Sequence, residues 1–99
     1  MKDIANLRDL ERALVEQFVQ FSLMVKEMVA SGRRHIRYET YRDSGAWSLV
    51  SRYTPEFLDE STGEFGLGFT KKTPADRLVE KFDRKRDALL KKHGIEVVG

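Results

Sequence analysis

A chain of 99 residues, 40% hydrophobic and 34% charged, has the size of one domain with one core, burying roughly two-thirds of its unfolded surface. It is too apolar for a disordered tail and too short to carry a separate catalytic domain. The absence of cysteine excludes a disulfide framework and a thiolate metal site and fits a reducing compartment, so the expected location is cytoplasmic.

Net charge is only +2, but it is segregated along the chain. Residues 1–30 carry four bases and five acids, and residues 31–54 carry five arginines against Glu39 and Asp43. Residues 55–70 hold four acids and no base, whereas residues 71–93 hold nine bases against four acids. The first residues interleave charges where a signal peptide needs an apolar stretch, and no run approaches the ~20 apolar residues of a membrane span. Neither export by that route nor a membrane partner is expected.

From Ile4 to Ala30 no Gly or Pro interrupts, and Ile4, Leu7, Leu14, Phe18, Phe21, Val25 and Met28 recur at helical spacing. A long helix is predicted, stopped by Gly32 after Ser31. Val15, Val19, Leu23, Met24 and Val29 add apolar surface beyond a single stripe, more than a small sheet could cover. That surplus points to self-association, with Leu14, Phe18, Phe21, Val25 and Met28 as the expected oligomer seam and a dimer as the default.

Residues 35–41 and 47–53 are rich in aromatic and β-branched side chains and flank Asp43-Ser44-Gly45, which reads as a β-hairpin with a Gly-terminated turn. Arg42 would face Ala46. One face would carry His35, Arg37, Tyr41, Trp47, Leu49 and Tyr53, the other Ile36, Tyr38, Val50 and Arg52.

Thr54-Pro55-Glu56-Phe57 predicts a cap and at most one helical turn before an acidic loop at 59–63. Phe65-Gly66-Leu67-Gly68-Phe69 predicts a third strand, with its large residues on one face. Thr73-Pro74-Ala75-Asp76 is a helix start, with Thr as N-cap, Pro at the first helical position and an acid in the first turn. The helix should run to His93 with Leu78, Val79, Phe82, Leu89 and Leu90 inward, and Ile95-Glu96-Val97-Val98 should follow as a short strand or packed tail. The expected fold is α+β: a long N-terminal helix, a three-stranded, mostly antiparallel sheet and a C-terminal helix within a single domain, residues 1–99.

Three patterns could carry chemistry. The basic C-terminal helix could contact phosphates, but Asp76, Glu80, Asp83 and Asp87 lie three or four residues from its bases, and a solvated face of surface pairs is the favoured reading. The hairpin offers Arg37, Tyr41, Arg42, Trp47, Arg52 and Tyr53 as a ligand-binding set, with rings to stack a base and guanidinium groups to hold phosphate. The equal alternative is that its aromatics pack under the long helix.

Catalytic patterns are lacking. Gly66-x-Gly68 misses the rest of a dinucleotide fingerprint, His35 and His93 lack Cys companions, and Asp59, Glu60 and Glu64 lack calcium-loop spacing. The sequence therefore predicts a non-enzymatic, oligomeric binding module for an anionic ligand, a nucleotide or nucleic acid, in a sequestering or regulatory role. No cofactor and no metal is expected. The alternative is a protein–protein interaction or inhibitor module acting on a protein partner, a role in which compact, cysteine-free, charged domains suit virus-encoded inhibitors.

Overall fold

The computed structural model describes residues 2–62 and 72–99. In chain order the elements are α1 (Leu7–Ala30), β1 (His35–Arg37), α2 (Tyr38–Asp43), a 3-10 helix (Ala46–Arg52), α3 (Pro55–Thr62), α4 (Pro74–Lys92) and β2 (Glu96–Val98). The chain is mostly helical, with two short strands among the described residues.

The long N-terminal helix is present, and its ends follow local chemistry. Asn6 caps α1, its side chain accepting from the Asp9 backbone N–H at 2.9 Å, while an Asp9 carboxylate oxygen accepts from the Ala5 N–H at 3.1 Å. The cap starts the helix at Leu7 and leaves Ile4 extended. Ile4 is fully buried and forms a parallel bridge with Tyr53, its N–H donating to Arg52 O and its carbonyl accepting from Thr54 N–H, both at 2.9 Å. At the far end Gly32 takes φ 76°, the left-handed conformation that lets the chain leave the helix.

Helix α4 begins at the predicted cap. The Thr73 hydroxyl accepts from the Asp76 N–H and the Asp76 carboxylate accepts from the Thr73 N–H, both at 3.1 Å, a reciprocal capping box with Pro74 at the first position.

The two long helices run in the same direction. Leu7 and Glu11 lie beside Pro74, Leu78 and Lys81; the Phe18 and Phe82 rings meet edge-on at 6.3 Å; and Val25 packs in one cluster with Leu90. The core is strung along this seam in two clusters. One gathers Leu10, Leu14, Leu49, Tyr53, Phe57 and Phe82, the other Phe21, Val25, Met28, Ile36, Leu90 and Ile95.

The expected three-stranded, mostly antiparallel sheet is not the fold, and the β-hairpin is the element that fails. Residues 38–43 form α2 and residues 46–52 the 3-10 helix. Strand β1 pairs instead with β2 from the end of the chain, in parallel, with Ile36 opposite Val97.

Two causes account for the change. The apolar positions that go inward are Ala46, Leu49 and Tyr53, three and four apart, whereas the hairpin needed Trp47 and Leu49 on one buried face, and Trp47 is exposed. Asp43-Ser44-Gly45 serves as a helix end: Ser44 caps α2, its hydroxyl donating to Tyr41 O at 2.6 Å. High β-propensity here yields to the covering of the core.

Helix α3 makes two turns where one at most was expected, capped by the Thr54 hydroxyl and buried through Phe57. The expected third strand, Phe65–Phe69, lies outside the described residues.

Leu14→Ala should cost about 2–5 kcal/mol, the range for a Leu truncated in a packed core. Thr73→Ala should cost about 1 kcal/mol through the lost cap. Urea denaturation checks both. A Leu14 variant as stable as the parent would mean that α1 does not bury this face.

Candidate functional site

The segment that refuses to form a hairpin builds one wall of a cleft of about 600 Å³, and α4 with α3 builds the other. Tyr38, Tyr41, Arg42, Trp47, Val50 and Tyr53 come from the first wall; Ala75, Asp76, Val79, Asp83 and Arg86 of α4, with Leu58 of α3, come from the second. Asp76, Val79, Asp83 and Arg86 are spaced three and four apart, so one face of α4 presents all four.

Arg86 joins the two walls of the cleft. Its guanidinium stacks on the Tyr41 ring at 4.0 Å and donates to Tyr41 O at 3.2 Å and to an Asp87 carboxylate oxygen at 3.3 Å. The Tyr41 hydroxyl donates to the same Asp87 oxygen at 2.7 Å. Only 11% of the Arg86 side chain is exposed.

This approach depends on Gly45, where an added Cβ would sit 2.6 Å from the Arg86 Nη1 atom and 3.2 Å from Arg42 O. Asp83 ties the same corner from the other side, accepting from the Ala46 N–H at 3.3 Å.

Trp47 stands at the mouth, 60% exposed. Its indole N–H donates to Arg42 O at 3.1 Å, so the ring is fixed by its polar edge and offers its face to solvent. Tyr38, 50% exposed, and Val50 extend the apolar rim.

At the closed end Tyr53 is buried and meets Phe57 edge-on at 4.9 Å. Burial, and secondarily the Asp76 charge, raise its phenol above the ordinary value of 10.0. Burial together with the hydrogen bond to Asp87 raises Tyr41 in the same direction.

The cleft is balanced in charge. Arg42, only weakly paired with Asp43 at 3.4 Å, and Arg86 stand against Asp76 and Asp83. Each of these two carboxylates spends one oxygen on a backbone N–H, Asp83 on Ala46 and Asp76 on Thr73, and keeps its other oxygen outside those bonds.

Four of the six expected ligand residues, Tyr41, Arg42, Trp47 and Tyr53, come together here. Arg37 is exposed on β1, next in sequence to Tyr38 but outside the cleft lining. Arg52 is elsewhere, in a two-pronged pair with Asp3 at 2.8 and 2.6 Å that holds the Asp3 carboxyl below the usual carboxylate range.

Sequence reading missed Tyr38, Arg86, Asp76 and Asp83. The sequence pattern puts Tyr38 on the opposite hairpin face and Arg86 among the solvated bases of α4. The 76-79-83-86 spacing is the signal that joins the α4 members.

The five residues expected at an oligomer seam are used inside the chain. Leu14, Phe21, Val25 and Met28 are buried, and Phe18 is half-buried against Phe82, because α4, the 3-10 helix and the strand pair cover that face of α1. The apolar surface left exposed on α1 is Leu7, Val15, Val19 and Leu23.

Lys72, just before α4, and Arg84 within it share Glu80 at 2.6 and 3.6 Å, and the Lys85 ammonium lies 5.1 Å over the Phe82 ring. Among the described residues no group of three or more His, Asp or Glu side chains is placed to hold a metal ion, and no helix is long and apolar enough to cross a membrane. In comparisons with protein families, curated proteins and solved structures, no family model matches the chain, nor does any curated protein or solved structure.

Gly45→Ala should destabilise the protein by about 1–3 kcal/mol through overpacking against Arg86; a thermal melt reads this, and a neutral result would mean that Arg86 is not held there. Tyr41 and Tyr53 should both ionise above free tyrosine in an alkaline absorbance titration. With both pKa values raised on folding, the stability they contribute is fully present below pH 10.0 and is lost as pH rises through the raised values. Titration of both at or below 10.0 would contradict the packing described.

Proposed function

We propose that this chain is a non-catalytic, cytoplasmic binding module that takes a nucleotide, free or within a nucleic acid, in the Trp47 cleft, in a sequestering or regulatory role. The observation that carries the reading is the exposed indole face, fixed by its own N–H at the mouth of an aromatic-lined cleft and flanked by Arg42. A base stacked on an aromatic ring is worth about 1–3 kcal/mol.

Arg42 at the rim, with exposed Arg37 one residue before Tyr38, supplies cations for phosphate. The free oxygens of Asp76 and Asp83 accept hydrogen bonds from an exocyclic amino group on the base. A ligand with a donor-bearing planar end and an anionic end suits this charge balance better than a plain polyanion. The cytoplasmic placement rests on the lack of cysteine.

Trp47 is the single tryptophan, so its fluorescence reports the cleft alone. Titration with cytidine, adenosine, guanosine and uridine monophosphates should change the emission, with the three amino-bearing bases binding more tightly than uridine. Trp47→Ala should weaken binding about tenfold or more, measured by calorimetry. Nucleotides that leave both the emission and the melting temperature unchanged would overturn the reading.

A second reading, a protein-interaction or inhibitor module, is favoured by the contiguous exposed rim of Tyr38, Trp47 and Val50, the aromatic composition of interface hot spots. It predicts that Trp47→Ala abolishes capture of a protein partner while nucleotides remain without effect.

A further inference from the structure

The parallel run of α1 and α4 brings both helix C-termini to one end of the molecule, and the pairing of β1 with β2 sets the segments that follow them side by side. The Glu96 N–H donates to Arg34 O at 2.8 Å, and Arg37 stands opposite Val98. Two distant stretches of chain therefore bring their bases together, Lys26, Arg33, Arg34 and Arg37 from one and Lys91 and Lys92 from the other. All six are exposed. Glu27, Glu39 and Glu96 are the acids near them, yet none of the six bases takes part in an ion pair among the described residues.

Helix ends explain only part of this clustering. Lys91 and Lys92 sit in the last turn of α4, where free carbonyls favour cations. The last turn of α1 has no base, and Arg33, Arg34 and Arg37 lie beyond it. Like charges gathered in this way repel one another and add nothing to the fold, whereas they suit a run of phosphates outside the chain.

This basic end is continuous with the Trp47 cleft. Arg37 immediately precedes Tyr38 of the cleft rim, and Tyr41 lines both the cleft and a neighbouring groove of about 390 Å³ bounded by Lys91, Gly94, Glu96 and Val97. Asp87, in the same groove, is engaged by the Tyr41 hydroxyl and by Arg86. From Tyr38 back to Arg34 the chain spans about 13 Å when extended, at ~3.3 Å per residue.

We infer that the ligand is a single-stranded nucleic acid: one base stacks on Trp47 in the cleft, and the phosphates of its neighbours run over Arg37, Arg34, Arg33 and Lys91 at the basic end. The inference rests on the base-binding reading of the cleft and extends it from one nucleotide to a strand. A single strand fits because its bases can leave the stack and enter a cleft, which those of a duplex cannot do without unpairing. The basic end reads no sequence; it adds salt-dependent affinity to the one stacked base.

Fluorescence anisotropy of a labelled oligocytidylate of about 12 nucleotides, a length within the span of single-strand-binding domains, tests this beside calorimetry with cytidine monophosphate. The oligonucleotide should bind at least about tenfold more tightly than the mononucleotide, with a log–log salt slope near −3, as expected for about four phosphates. Arg34→Glu combined with Lys91→Glu should remove that gain and leave cytidine monophosphate binding unchanged. Arg77→Glu combined with Lys81→Glu, an equal change of charge in the first two turns of α4, should do much less.

Mononucleotide binding with no gain for the oligonucleotide, or a gain that both charge-reversed pairs reduce equally, overturns the inference and leaves the cleft reading standing. So does binding of a duplex of the same length as tightly as the single strand, or retention on phosphatidylserine vesicles with no oligonucleotide binding, the behaviour of a membrane contact. Oligonucleotide binding indifferent to Trp47→Ala overturns the cleft reading and the inference with it.

Discussion

Everything else in the structure follows from the need to cover one side of α1. From Leu10 to Met28 this helix buries a continuous apolar stripe, and α4 runs alongside it in the same direction. One helix cannot cover a stripe of that width alone. The N-terminal half is completed by the 3-10 helix and α3 through Leu49, Tyr53 and Phe57; the C-terminal half is completed by the strand pair through Ile36 and Ile95. Burial of these side chains, each worth about 1.5–3 kcal/mol, outweighs local β-propensity differences of at most ~1 kcal/mol. Residues 38–52 therefore wind into helical turns although their composition suits a sheet.

The cleft is a by-product of that solution. When residues 46–52 turn helically, Ala46 and Leu49 go inward and Trp47 is forced out, one position from the buried face. The same geometry brings Gly45 under Arg86, so a base that would otherwise be solvated becomes a strut between α4 and Tyr41. Among the described residues no buried side-chain polar atom lacks a partner, so the cleft is built without unpaired interior groups. Its free hydrogen-bonding capacity lies in the outward carboxylate oxygens and in Arg42.

Legibility in the sequence tracked how local the governing interaction is. The helix start at Thr73, the stops at Gly32 and Gly94, and the inward stripe of α4 depend on residues within one or two turns and could be read directly, whereas the first helix, expected from Ile4, begins only at Leu7 because Ile4 bridges to Tyr53. The partner of β1 could not, because it comes from residues 96–98 at the other end of the chain. The hairpin reading failed because a period of two and a period of three to four both fit residues 46–53, and only the position of α1 decides between them. Of the expected ligand set, Tyr41, Trp47 and Tyr53 line one cleft although the hairpin that was to group them does not form, while Arg52 is drawn away by Asp3, 49 residues distant in sequence. The surplus apolar surface of α1 was visible in the composition of the helix, but which residues form it depends on where α4 docks.

The most direct test of the account is amide chemical-shift mapping of the isotope-labelled chain titrated with cytidine monophosphate. The account predicts saturable shifts centred on Tyr41, Arg42, Trp47 and its indole N–H, Asp83 and Arg86, with α1 unaffected. Shifts confined to the outer lysines of α4, Lys81, Lys85 and Lys92, or no shifts at all, would contradict it and remove the cleft as the nucleotide site.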